Sequence, residues 1–483
     1  MRLHHVLLLA ATVIALDVER DLRKAFRPVR KGAPATEARA LAVTAARATE
    51  DPKVARALLL AAEQVRLEIA EFEEHRIAFL RRGENPKDHA RRVEEFDPLR
   101  ALGHAIDKAL TSVAGEEARD EVAIQVLENR RLVGNIRVRS ATLSGAPSSQ
   151  VDKAVRGALK TRRDAAARYS ALEITRSMGE RGVVHAELVI DQLTDDDPLA
   201  RLLAARALGS SRSPAALTPL IAVLADDRFA VRTAAHRSLV SLTSQSIRRS
   251  QPSWELWLER EGGAYARGES PLPPAVDVTI DRTSGPTYFG LPLEGDGVLF
   301  ILDRSKSMRR TMGKPSHKAE GGEPDRMKRA TKELISALGA LRSDQRFDIL
   351  AFANTSVSFR GELVPASEKN IAAAQAWTRD VPLAFGTGIH DVLQLAFSMA
   401  RTSEDGVPMA SEIDSIYLLT DGVPILPSGK GDRGDAIRAA VLDWNVLGQV
   451  KIHVVGLGDQ MPRKFLKGLA ADNGGIFAPR VDD

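Results

Sequence analysis

The stretch "GVLFILDRSKSM", residues 297–308, decides the fold. Its first six residues are a short apolar run closed by a polar turn, the pattern of a strand buried on both faces of a parallel sheet. The same pattern returns in "FDILAFA" (347–353), "SIYLLT" (415–420) and "KIHVVGLG" (451–458). Amphipathic helical stretches lie between these runs, "DRMKRATKELISALGAL" (325–341) and "IHDVLQLAFSMA" (389–400) being the clearest. Alternation of this kind predicts an α/β, doubly wound (Rossmann-like) open sheet over residues 294–483 with helices on both faces.

Ligands of such sheets bind in the crevice beyond the carboxyl ends of the strands. "DRSKSM" stands there after the first strand, "TDGVP" (420–424) after "SIYLL", and "GTGIHD" (386–391) opens a helix between them. These pieces carry the oxygen-bearing side chains of Asp303, Ser305, Ser307, Thr387 and Asp421. Two carboxylates and three hydroxyls suit a hard cation such as magnesium, which prefers oxygen ligands and retains waters. The chain has no cysteine, so zinc–thiolate sites, disulfides and Cys nucleophiles are excluded.

D-x-S-x-S, then a threonine in a G-T turn, then T-D-G after an apolar strand resembles the metal-ion-dependent adhesion site (MIDAS) of von Willebrand factor A (vWA) domains. The spacings agree, with 80 residues from Ser307 to Thr387 and 34 from Thr387 to Asp421. So does the surrounding text, in "FGTGIHDVLQLAF", "IYLLTDGVP" and "FLKGLAADNGGIFAP", and the resemblance covers about residues 288–480. It implies that Ser305, Ser307 and Thr387 bind Mg2+ (or Mn2+ or Ca2+) directly or through water. Asp303 and Asp421 would act partly through water. In the family an acidic side chain of the partner often completes the coordination, which implies protein–protein interaction in adhesion or scaffolding rather than catalysis. One departure is Lys306, where the family commonly has glycine between the serines. Around this loop Arg304, Lys306, Arg309 and Arg310, with Lys314 and Lys318, read as a basic rim steering an acidic partner group. The competing reading is a solvated loop whose charge Glu320, Glu323 and Asp325 average out.

The first half of the chain is different. Residues 16–143 are helical and heavily charged, as in "EDPKVARALLLAAEQVRLEIAEFEEHRIAFLRR" (50–82), where Asp51 and Pro52 signal a helix start. After the loop 144–150 the sequence repeats. "DDPLARLLAARALG" (196–209) aligns with "DRFAVRTAAHRSLV" (227–240) at an offset of 31 residues, bringing Asp196 to Asp227, Arg201 to Arg232 and Leu208 to Leu239. The preceding helices align as well, Ile190 with Ile221 and Asp195 with Asp226. A period near 30 with two helices per unit predicts stacked helical hairpins over residues 151–248; an unrelated helical bundle is the alternative. The units resemble HEAT-type repeats, in which an aspartate caps the second helix and an arginine follows it. "RRDAAARYSALEIT" (162–175) is a degenerate further copy with Asp164 and Arg168. No catalytic constellation occurs in this half, which reads as a scaffold or binding surface. Residues 249–293 read as a linker with a closing helix, "QPSWELWLEREGG" (251–263), and one strand.

With 483 residues, 44% hydrophobic, 27% charged and a net charge of +4, the chain is long enough for two to four domains and only mildly basic. Residues 1–15 read as a signal peptide: Arg2, His4 and His5 precede the apolar residues 6–16, and Val13, Ile14 and Ala15 resemble a cleavage site. That run is too short to span a bilayer, which needs about 20 residues. Export to the periplasm or outside the cell is therefore expected; read instead as a buried first helix, the segment leaves the protein cytoplasmic. Among other motifs, "GKGDRG" (429–434) matches a phosphate loop only by letter, and Arg433, Gly434 and Asp435 match the integrin tripeptide by chance-level resemblance. Ten scattered histidines show no paired ligand spacing, His390 included. An enzyme is thus not expected; a chelatase-like partner is the weighed form of one, and nothing resembles an ATPase. The rival binding class is RNA, since helical repeats joined to a vWA domain resemble the Ro ribonucleoprotein and "RRLVGNIRVRS" (130–140) is a basic strip. The small net charge argues against nucleic acid as the partner.

Overall fold

A computed structural model describes residues 18–26, 36–82, 86–132, 134–141, 148–274, 286–310, 326–399, 408–422 and 433–480. The expected signal peptide, and Lys314, Lys318, Glu320, Glu323 and Asp325 of the loop, lie outside these residues. Two compact units emerge: a helical one containing Glu94–Thr279 with the helices before Glu73, and an α/β one containing Ile280–Arg401 and Ala410–Asp483.

Helices Thr36–Ala45, Pro52–Arg82 and Pro86–Thr111 precede the four helical pairs of the helical unit, to which Glu74–Val93 of the last two do not belong. The pairs are α1 (Glu116–Glu128) with α2 (Gly134–Ala141), α3 (Ser149–Lys160) with α4 (Ala165–Ser177), α5 (Ala186–Asp191) with α6 (Pro198–Ser211), and α7 (Leu217–Ala222) with α8 (Phe229–Thr243). The second helices α2, α4, α6 and α8 pack on one another in succession, so the stack starts one pair upstream of residue 151. Asp164 starts α4 by accepting from the Ala167 N–H at 2.9 Å, and Asp197 starts α6 by accepting from Leu199 at 2.9 Å, with Pro198 in the first turn.

The repeat signature is a ladder of ion pairs between successive units. Arg137 donates from Nη1 to both carboxylate oxygens of Asp164 at 3.0 and 3.1 Å. Arg168 reaches Asp195 at 3.6 Å, and Arg201 grips Asp226 through Nε at 2.7 Å and Nη2 at 3.0 Å. The aligned aspartates Asp196 and Asp227 are therefore not the caps the repeat pattern suggests. Asp195 and Asp226, one residue earlier, accept from the backbone N–H two residues on and from the arginine of the preceding unit. Past α8, helix Gln251–Trp257 buries Trp254 and Trp257, as expected of a closing amphipathic helix.

The α/β unit opens with a hairpin, β1 (Thr287–Tyr288) and β2 (Leu291–Pro292), turned by Phe289 and Gly290, both at positive φ. This corrects the linker reading of residues 249–293: Tyr288, Phe289, Leu291 and Leu293 belong to the α/β core. The main sheet runs β5-β4-β3-β7-β8-β9, with β6 beside β4. Its parallel strands are β3 (Gly297–Asp303), β4 (Arg346–Phe352), β7 (Ser415–Thr420), β8 (Lys451–Leu457) and β9 (Phe477–Arg480); β5 (Ser356–Ser358) and β6 (Val364–Pro365) run antiparallel to β4. Side chains of β3 alternate between two cores. Val298, Phe300 and Leu302 pack toward α9 (Arg326–Gly339) and its neighbour α10 (Glu368–Asp380). Leu299 and Ile301 pack toward α11 (Ile389–Ser398), α12 (Arg433–Trp444) and α13 (Arg463–Asp472). Burial on both faces is why the strands read as unbroken apolar runs. The chain leaves β3 for β4 on one side and returns to β7 on the other, so the ends of β3 and β7 flank a topological switch point.

Candidate metal centre

Pairing of Leu302 with Leu419 sets the ends of β3 and β7 side by side, so Asp303 meets Thr420. Asp303 is 0% exposed. One carboxylate oxygen accepts from the Ser305 N–H at 2.8 Å, the other from Thr420 Oγ1 at 2.6 Å. Burial pushes its pKa up to about 6, against the lowering effect of these hydrogen bonds, and the nearby Asp421 charge adds to the rise. Among the described residues no cationic side chain pairs with it.

The other candidate ligands form a connected chain of oxygens. Ser305 Oγ and Ser307 Oγ lie 2.8 Å apart, and Ser307 Oγ donates to Asp421 Oδ1 at 2.7 Å. Thr387 belongs to the neighbouring loop, which backbone bonds pin to the residues just past β3 and β4. Gly388 donates to the Ala353 carbonyl, Asn354 to Phe385, and Ala384 to Arg304, each at 2.8 Å. Thr387 stands against Gly422, where a Cβ would lie 3.0 Å from the threonine Oγ1; a larger residue at 422 would push Thr387 off the site. The structure thus brings Asp303, Ser305, Ser307, Thr387 and Asp421 together at the carboxyl end of the sheet, beyond β3 and β7. An oxygen-only donor set around a buried carboxylate without a cationic partner fits a hard divalent ion.

Sequence reasoning missed two members of this constellation. Thr420 stood inside the quoted T-D-G, and the short apolar strand before it was the available signal for its role. Arg326, at the start of α9, donates from Nη1 to Asp421 Oδ2 at 2.7 Å. It lodges against Gly458, at φ +78°, where a Cβ would fall onto the guanidinium. No local spacing announces Arg326, because its partners lie far along the chain.

The basic rim is smaller than the sequence suggests. Arg304 is buried and turned away from solvent, donating to the Pro382 carbonyl at 3.1 Å and to Thr355 Oγ1 at 3.0 Å, so it is a clamp between loops rather than a rim charge. Arg309 and Arg310 are exposed. Lys306 opens a short 3-10 turn (Lys306–Arg309) without a left-handed backbone, so the position has no need of glycine. Its ammonium sits 3.3 Å above the ring of Phe385, a side chain that is 67% exposed. His390 packs edge-on against Trp444 and contacts Asp391, a core role. Residues 433–435 form the first turn of α12. In the basic strip 130–140, Arg137 is spent on Asp164 and two carbonyls, and Arg139 on Asp107, which removes the main support for an RNA surface there.

Family comparison matches residues 148–246 to HEAT repeats and residues 315–478 to the von Willebrand factor type A domain. The second match begins after Asp303, Ser305 and Ser307, so those residues are placed by topology rather than by the match. Among curated proteins, the chain is similar to inter-alpha-trypsin inhibitor heavy chain H4 of Bos taurus, 28% identical over 38% of this chain and 18% of that protein. The Homo sapiens counterpart is likewise 28% identical, over 39% of this chain and 18% of its own length. The chain therefore spans less than a fifth of these relatives. Among solved structures it is similar to a von Willebrand factor type A protein from Catenulispora acidiphila, at 21% identity over 39% of each chain with a TM-score of 0.30. No helix among the described residues is long and apolar enough to cross a membrane. The chain joins HEAT repeats to a C-terminal von Willebrand factor type A domain in one multidomain protein.

Proposed function

We propose that the α/β unit binds a divalent cation, magnesium in the first place, at the ends of β3 and β7, and through it holds an acidic side chain of a protein partner. Ser305, Ser307 and Thr387 would face the ion, while Asp303 and Asp421 balance its charge. The ion's contribution is a fixed positive charge with a ligand position open to a carboxylate. The helical repeats supply a second surface, and binding rather than catalysis is the protein's work.

One observation carries this reading: Asp303 is fully buried, and its described partners are hydroxyls and an N–H, not a cation. Burying an ionised carboxylate without a counter-charge is costly, and structural carboxylates are normally paired. Isothermal titration of magnesium into the wild type, Asp303→Ala and Asp421→Ala tests it. Wild type should bind, and each variant should lose about 100-fold or more in affinity. Identical isotherms in all three, with folding intact by circular dichroism, would sink the proposal. Recovery of a partner that is lost on chelation would support the second half.

A further inference from the structure

We propose that a groove beside the metal loop holds an acidic peptide segment carrying apolar side chains, contributed by a protein partner, and does so without a cation. The groove has a volume of about 650 Å3 and lies between α9, the last turn of α10 and residues 381–383. Its floor is apolar: Met327 is part of the core, and Val381 and Leu383 pack against that core from the edge. Lys328, Thr331, Lys332 and Ile335 fall at three- and four-residue steps, so one face of α9 forms a wall.

Four cations line this floor, Arg309, Lys328, Lys332 and Arg379, all exposed, and among the described residues no acidic side chain lines it with them. They come from three separate elements: α9, the end of α10, and the 3-10 turn that also carries Ser307. Negative groups must therefore approach on more than one side of a central apolar contact. A peptide with acidic residues on both sides of a central apolar run supplies that arrangement. A single-chain lipid carries its charge at one end only, and a purely acidic ligand would leave the floor unfilled. The groove adjoins the metal loop, since Leu383 precedes Ala384, which pairs with Ser305. The inference goes beyond the cation reading and stands without it.

The test is fluorescence anisotropy of a fluorescein-labelled heptapeptide with two Glu on each side of three Leu (Glu/Leu), against a matched peptide with Ser in place of Leu (Glu/Ser), with EDTA present. The Glu/Leu peptide should bind wild type at least about tenfold more tightly than the Glu/Ser peptide. Lys332→Glu combined with Arg379→Glu, both at exposed positions, should weaken binding about tenfold or more, as should Ile335→Asp in a chain that still melts cooperatively. Equal binding of the two peptides, or binding to phosphatidylglycerol vesicles with none to the peptide, would each overturn the proposal. So would no binding of either peptide.

Discussion

Asp226 of the helical repeats, half-buried, and Asp303 of the sheet, fully buried, each accept a backbone N–H two residues onward, yet their charges are handled in opposite ways. Burial acts to raise the pKa of Asp226, but the Arg201 guanidinium and the Arg228 N–H outweigh it and hold the group below its ordinary value. Burial wins at Asp303, where hydroxyls and an N–H offset only part of the cost and the pKa stands at about 6. A carboxylate with its cation built into the chain is a staple between repeats. One without such a cation leaves a charge to be balanced from outside. Asp421 stands between the two cases, with one oxygen toward Ser307 and the other held by Arg326.

The most damaging way to break this contrast is Arg201→Ala. It leaves the half-buried Asp226 without its bidentate partner and should destabilise the repeats by about 3 kcal/mol, read as a lower urea midpoint by far-UV circular dichroism. Adding Asp226→Asn should recover part of that loss, because the stranded charge is gone.

Substitution of each aspartate by asparagine sharpens the contrast, because the two effects have opposite signs. The raised pKa of Asp303 means the folded chain holds its proton more tightly than the unfolded chain. The resulting cost is absent below about pH 4 and complete above about pH 6. Asp303→Asn should therefore raise the stability of the metal-free protein by about 2 kcal/mol at pH 7 and change little at pH 4. Asp226 has a lowered pKa, so its contribution is present above the ordinary carboxylate value and lost as pH falls through the folded one. Asp226→Asn should destabilise at pH 7, and the loss should shrink on acidification. Thermal melts of both variants at several pH values, in EDTA, decide this; equal signs at pH 7 would erase the contrast.

The smallest effect is expected at Lys306. Its contact with Phe385 is exposed, so Lys306→Ala should cost no more than about 1 kcal/mol in stability. Removing a positive charge beside the site should also raise magnesium affinity, by about threefold or less in physiological salt. A larger change would show that the lysine reaches into the site.

What was legible in the sequence was local in character. The apolar runs were readable because β3 and β7 are buried on both faces, and Asp303, Ser305, Ser307, Thr387 and Asp421 were readable because each lies in a short motif at a strand end or helix start. Arg326 was not, since its meaning lies in a contact 95 residues away and in the backbone of Gly458. Arg304 was misjudged because an arginine's identity says nothing about burial when nearby carbonyls can absorb its donors. Tyr288 and Leu291 were hidden in a Pro- and Gly-rich stretch that resembles a linker until the hairpin turns them into the core.

Arg326 also sets what the site asks of a partner. Two ionised carboxylates and one guanidinium leave the protein's own groups at one net negative charge. A divalent ion added to them would carry the cluster past neutrality to one net positive charge, in a place largely shielded from solvent. One more carboxylate brings the sum to zero. With Arg326→Met the same ion would already be neutralised by Asp303 and Asp421, and an incoming acidic side chain would gain far less. By this arithmetic the arginine on the far side of Asp421 would make a bound cation an attractor of acids rather than a filled structural site.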